Sequence, residues 1–202
     1  MKKLLILSLL IFTGCATRFI KMEPQLSTYS HTNELSKNVT VEYDFDAMSK
    51  SRNTIYDYKE DRKNLQLLSV RISNESKDTL VFTEENLNIK TLLGTPINIL
   101  NDEEFYVDKI KQQAGWYMLY SLLGFMVSWT SDNDRYRLTL NPFGALIGVY
   151  NLALGIHGNM QLKKSMKKYN LFNQRIAPNT TFDGFVILGE NIEEQKLHFK
   201  NK

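Results

Sequence analysis

Cysteine is nearly absent from this 202-residue chain, Cys15 being the only one. A disulfide framework and a cysteine-rich zinc or iron–sulfur site are therefore excluded. Charge of one sign is lacking too. Lys and Arg total 25 against 22 Asp and Glu, and a net +3 is too small for a nucleic-acid-binding surface, which normally shows a strong basic cluster. Nucleic acid is not an expected partner. His31, His157 and His198 have no ligand spacing among them, so no metal and no cofactor are expected. No glycine-rich phosphate loop follows a strand, because the glycines from 144 to 158 lack Lys-Ser/Thr and Rossmann spacing. No G-x-S-x-G elbow occurs. The pairs Glu84-Glu85, Glu103-Glu104 and Glu193-Glu194 are adjacent, and neighbours on a strand point to opposite faces, which makes poor catalytic pairs. Catalysis is not expected. What remains is globular composition, 43% hydrophobic and 23% charged, sized for one domain with an elaboration.

The N-terminus carries the strongest positive signal. Lys2 and Lys3 precede an apolar run from Leu4 to Phe12, broken only by Ser8, and Thr13-Gly14-Cys15 follows. A charged start, a short apolar core and small residues before a cleavage point describe an export signal. At about 1.5 Å per residue the run is too short to span a bilayer as a helix.

Phe12-Thr13-Gly14-Cys15 resembles the lipobox of bacterial lipoproteins. The resemblance implies that residues 1–14 are removed and that Cys15 is acylated and becomes the first mature residue, leaving no thiol nucleophile. It implies several acyl chains, palmitate among them, and two or more chains hold a protein stably where one holds marginally. The family's inner-membrane retention signal is an Asp after the cysteine. Ala16 stands there instead, which implies lipid anchoring in the outer membrane of the cell envelope. Removing Lys2 and Lys3 with the signal leaves 23 basic against 22 acidic side chains. Residues 15–37 are polar and aperiodic and are expected to form a lipidated tether.

Alternation begins at Val39, Val41, Tyr43 and Phe45. Residues 46–64 are polar and read as a long exposed loop, in which Tyr56 to Lys63 is either a solvated segment or a ligand-contacting rim. Leu68, Val70 and Ile72 alternate next. The turn cluster Asn74 to Asp78 leads to Leu80-Val81-Phe82, and Leu87, Ile89 and Thr91 alternate before the break at Gly94-Thr95-Pro96. Phe182 to Leu188 and Leu197 to Phe199 supply late strands. The expected class is mainly β, a β-sandwich whose parts are residues 38–111 and 170–202. The run from Val70 to Asn74 through Phe82 resembles the strand–turn–strand of bacterial extracytoplasmic immunoglobulin-like domains, as do Ile176 to Asn179 and Gly184 to Val186.

Residues 112–169 do not fit a sandwich. No charged side chain occurs from Gln112 to Ser131 or from Leu138 to Leu162. Asn141-Pro142 is a helix start, and Lys163, Lys164, Lys167 and Lys168 suit a helix C-terminus. The segment is expected to be an apolar helical hairpin, with one arm over Ala114 to Thr130 and the other from Asn141. Gly144, Gly148 and Gly155 fall near one face of the second arm with Asn151 between them. Each glycine costs a helix about 1 kcal/mol, which close backbone approach offsets. Gly124-x-x-x-Ser128 and Gly144-x-x-x-Gly148 are small-residue pairs of the kind that lets apolar helices touch. Phe143, Ile147, Tyr150 and Leu154 form the other face. That face requires cover, from an envelope protein partner, a second copy of the chain, or lipid. A conventional inner-membrane span is disfavoured, because lysines 109, 111, 163, 164, 167 and 168 would place the hairpin's open end in the cytoplasm and the lipobox places it outside.

Overall fold

A computed structural model describes residues 16–84, 86–117, 125–130, 135–140, 142–172, 174–192 and 196–201, of which 125–130, 135–140, 142–145 and 201 are described by their backbone alone. In chain order the elements are β1 (His31–Ser36), β2 (Val39–Asp44), α1 (Ala47–Lys50), α2 (Thr54–Arg62), β3 (Gln66–Asn74), β4 (Leu80–Val81), β5 (Leu87–Thr91), β6 (Ile99–Leu100) and α3 (Glu103–Ile110). They continue with β7 (Phe125–Thr130), β8 (Arg135–Leu140), α4 (Pro142–Tyr169), β9 (Arg175–Ile176), β10 (Thr180–Leu188) and β11 (Leu197–Asn201). Helices and strands occupy comparable shares of the described residues, so the class there is mixed rather than mainly β. The described chain forms two compact units, one containing residues 16–19 and 112–160, the other residues 20–111 and 161–201.

The larger unit is built on a curled antiparallel sheet in the order β1-β2-β3-β10-β6. Its centre is the long pairing of β3 with β10, in register from Gln66 opposite Leu188 to Asn74 opposite Thr180. Val39, Val41 and Tyr43 of β2, Leu68, Val70 and Ile72 of β3, and Val186 and Leu188 of β10 point to one face. There they form one core with Leu87 and Ile89 of β5 and Leu197 and Phe199 of β11, strands that pair with each other apart from the main sheet. The opposite face of β3 meets α1 and α2. Cover on both faces explains why Gln66 to Val70 and Gly184 to Leu188 are buried without interruption.

Two polar segments depart from expectation. Residues 16–36, expected as a tether, pack: Phe19, Met22 and Pro24 are buried, and His31 to Ser36 form the edge strand β1 against β2. The strand's alternation is His, Asn and Leu against Thr, Glu and Ser, half-buried against exposed. A polar alternation of that kind leaves no hydrophobic period to read. Residues 46–64, expected as an exposed loop, hold α1 and α2. Tyr56 and Glu60, one helical turn apart, are the two buried side chains of α2, while Asp57 and Lys59 are half-buried and Asp61 and Arg62 exposed. A carboxylate on the buried face hides the amphipathic pattern.

The smaller unit corrects the helical hairpin. Phe125 to Thr130 are a strand, not the end of a helical arm, and pair with β8 from Phe125 opposite Leu140 to Thr130 opposite Arg135. An uncharged run records only that the residues avoid water, and Phe-Met-Val-Ser-Trp-Thr is rich in the aromatic and β-branched residues that favour strands. Arg-Tyr-Arg-Leu-Thr-Leu in β8 carries the matching period of two. The second arm is helical, as α4, through Tyr169. Among the described residues no helix is long and apolar enough to cross a membrane.

Candidate interaction face

Within the smaller unit, α4 has two unlike faces. Gly148, Asn151, Gly155 and Gly158 recur at intervals of three and four and are buried. Asn151, 4% exposed, accepts a hydrogen bond at Oδ1 from the Ala16 backbone N–H at 3.3 Å. One turn beyond Gly155, Asn159 clasps the backbone of Gln112, accepting from its N–H at 2.7 Å and donating Nδ2–H to its carbonyl at 2.8 Å. Gln112 in turn donates Nε2–H to the Thr17 carbonyl at 2.9 Å and receives the Tyr117 hydroxyl at 3.3 Å. These contacts bring residues 112–117 onto the helix at Gly155. A Cβ there would lie 3.1 Å from the Ala114 Cβ and 3.3 Å from Tyr117 Cε2, so a side chain at this position would push its neighbours back by a few tenths of an ångström.

The other face is apolar and in water. Leu146, Ile147, Val149, Tyr150, Ile156 and Met160 are all exposed, Leu146 and Tyr150 by 64% and 65%. Leu146, Val149, Tyr150, Ile156 and Met160 project within about 120° of one another around the helix axis, with Ile147 at the margin, and the exposed Ala153 and His157 lie on the same face between them. Taking fractional exposures against side-chain areas of about 150–250 Å², the stripe leaves on the order of 600 Å² of largely apolar surface uncovered, the upper end for a monomer. No Asp, Glu, Lys or Arg occurs between Leu138 and Leu162, so no fixed charge interrupts it.

The residues singled out from sequence fall out as follows. Cys15 and Gly124 lie outside the described residues. Ser128 is on β7 opposite Arg137, so the pair Gly124-x-x-x-Ser128 is not a helical one. Gly144 is in the first turn of α4, one turn before Gly148, and Gly148 and Gly155 share the buried face. Ile147 and Tyr150 are on the exposed side. Sequence reading passed over Leu146, Val149, Ile156 and Met160, although their spacing with Tyr150 is the helical period. It also passed over Gln112 and Asn159, which no periodicity marks.

In the larger unit, Glu60 and Tyr106 form a buried pair in which the tyrosine hydroxyl donates to the carboxyl. Burial pushes the Glu60 carboxyl well above the usual carboxylate range and the Tyr106 hydroxyl above its own. Nearby Asp57 is also raised, first by burial and then by Asp61 and Asp46. An open cleft of about 490 Å³ is lined in part by Lys21, Ser27, Asp44, Lys50 and Ser69. Its buried carboxylate, Asp44, is held by Ser30 Oγ and Lys50 Nζ, both at 2.6 Å. None of the three histidines lines the cleft; His31 stacks on Tyr43 instead, with ring centroids 5.0 Å apart. Among the described residues, no group of three His, Cys, Asp or Glu side chains is placed to hold a metal ion. No protein-family model, no curated protein and no solved structure matches this chain.

Proposed function

We propose that this chain is a non-enzymatic lipoprotein of the bacterial cell envelope, anchored in the outer membrane through Cys15, and that it works as an interaction module whose contact surface is the exposed stripe of α4. The observation that carries this reading is the stripe itself. A soluble protein rarely leaves six neighbouring large apolar side chains on one uncharged helix face in water, and such patches mark contacts with protein or membrane. The lipobox-like Phe12 to Cys15 supports the address.

The larger unit serves as the rigid holder. Its finer architecture is read here as a variant of the immunoglobulin-like sandwich. Supporting this, the inward residues of β2, β3 and β10 share a core with β5 and β11, which pair as a separate ribbon.

Mass spectrometry of the N-terminal peptide from envelope-extracted protein tests the anchor. The expected result is loss of residues 1–14 and a Cys15 carrying acyl chains. An intact Met1 terminus or an unmodified Cys15 overturns the reading.

A further inference from the structure

We infer that the exposed stripe of α4 docks on the phospholipid surface in which Cys15 is anchored, so that the helix lies in the plane of the membrane and the smaller unit is clamped to it. This rests on the lipoprotein reading above and deepens it by naming what covers the stripe.

The deciding feature is the lack of a tether. From residue 16 onward the expected tether carries no free length at its beginning, because Ala16, the residue after the acylated position, is already buried. Its N–H is bonded to Asn151, a residue of α4 itself. Consecutive Cα atoms are about 3.8 Å apart, so the acyl chains leave the protein within one residue of this helix. Asn151 lies midway along the stripe, which runs from Leu146 to Met160. That length is about 21 Å at 1.5 Å per residue.

Asn151 faces the covered side of the helix, so the anchor point and the stripe are separated by roughly one helix diameter, about 10 Å. Interfacial helices sink about 5–10 Å into the boundary between headgroups and acyl chains. A membrane that receives the lipid on Cys15 therefore lies within reach of the stripe. The stripe's chemistry suits that layer: aliphatic side chains, a tyrosine and a histidine with amphipathic rings, and no Asp, Glu, Lys or Arg. Among the described residues no helix is long and apolar enough to cross a bilayer.

The test uses the native acylated protein in phosphatidylethanolamine–phosphatidylglycerol vesicles doped with a phosphatidylcholine carrying a photoreactive group on its acyl chain. After illumination, digestion and mass spectrometry locate the labelled residues. The expected result is labelling across 146–160 at least fivefold above that at Leu93, which is 92% exposed in the other unit and serves as the control for exposure alone. Leu146→Glu with Val149→Glu, both exposed and so tolerated by the fold, should abolish that excess while the protein remains anchored. Labelling of the helix no greater than at Leu93, on protein whose Cys15 is acylated, overturns this inference and leaves the anchor reading intact. Crosslinks from the stripe to a second copy or to another protein overturn it as well. A sample lacking the acyl group overturns the anchor reading and this inference together.

Discussion

Gly184 and Gly189 on and just beyond β10 offer a paired test of how the larger unit is packed. A Cβ built on Gly184 would lie 2.6 Å from the Tyr169 carbonyl oxygen, 0.8 Å short of the 3.4 Å at which ordinary contact begins. That oxygen belongs to the backbone at the end of α4. Its retreat is blocked because the following chain is tied to β10, with the Leu171 N–H bonded to the Phe185 carbonyl at 3.1 Å. Gly184→Ala must therefore move strand or helix end, and overpacking of this kind costs about 1–3 kcal/mol. At Gly189 the obstacle is as close, the Asn98 Nδ2 at 2.5 Å, but it is the far end of a side chain that can rotate away. The backbone bond from the Gly189 N–H to the Asn98 carbonyl, 2.8 Å, survives the substitution. Loss of unfolded-state freedom returns about 0.4–1 kcal/mol in each case, so Gly189→Ala is expected to be nearly neutral. For a chain of this size each kcal/mol moves Tm by roughly 2–4 °C, so the net cost at Gly184→Ala, about 1.3 kcal/mol at mid-range, should lower it by about 4 °C and by no more than about 10 °C. Urea unfolding followed by far-ultraviolet circular dichroism gives the midpoint and the slope for both variants. Equal stabilities, or a Gly184→Ala protein as stable as wild type, would refute the reasoning.

Two further outcomes are expected. Glu60 holds its proton in the folded state to a pH well above the 4.5 of an ordinary glutamate. As pH rises past that value the unfolded chain releases a proton that the folded chain keeps, so the pair's contribution falls with rising pH until the raised native value is passed. Glu60→Gln should flatten this slope, and Tm measured from pH 4 upward on both proteins checks it; parallel profiles would contradict a buried neutral carboxyl. Asn74, 1% exposed, donates Nδ2–H toward the carbonyls of Asp78, Ile176 and Ala177 at 2.9–3.1 Å. Asn74→Asp presents a carboxylate to the same carbonyls and should cost about 3 kcal/mol, read as a fall in urea midpoint at unchanged slope.

The strands β2 and β3 of the central sheet were legible because apolar and polar residues alternate along them, even where the polar one, such as Ser69, is itself buried. Val39 to Phe45 and Leu68 to Ile72 show it directly, and their pairing in register follows. α4 was legible from Asn141-Pro142 and its closing lysines. β1 was not, since an edge strand with one half-buried face can be polar throughout. α2 was hidden for a different reason. Its buried face carries Glu60, whose burial becomes tolerable only when Tyr106, 46 residues later, supplies a hydrogen bond. Of the candidate face, the glycines at 148 and 155 were visible as an anomaly in a helix, whereas the clasp between Gln112 and Asn159 has no local signature.

The order of the amino acids on its own determined the basic and then apolar N-terminus that ends in the sole cysteine, the near-zero charge balance, the strand alternation and the uncharged stretch from 138 to 162. These are properties of individual residues toward water and need no partner to be defined. Tertiary structure alone decided that 125–130 is a strand, that 31–36 closes the sheet edge, and that a glutamate is inside. It also decided which side of α4 is covered and which remains open. Hydrophobicity states that a side chain avoids water; the neighbour that lets it do so comes from elsewhere in the chain, and only folding brings the two together.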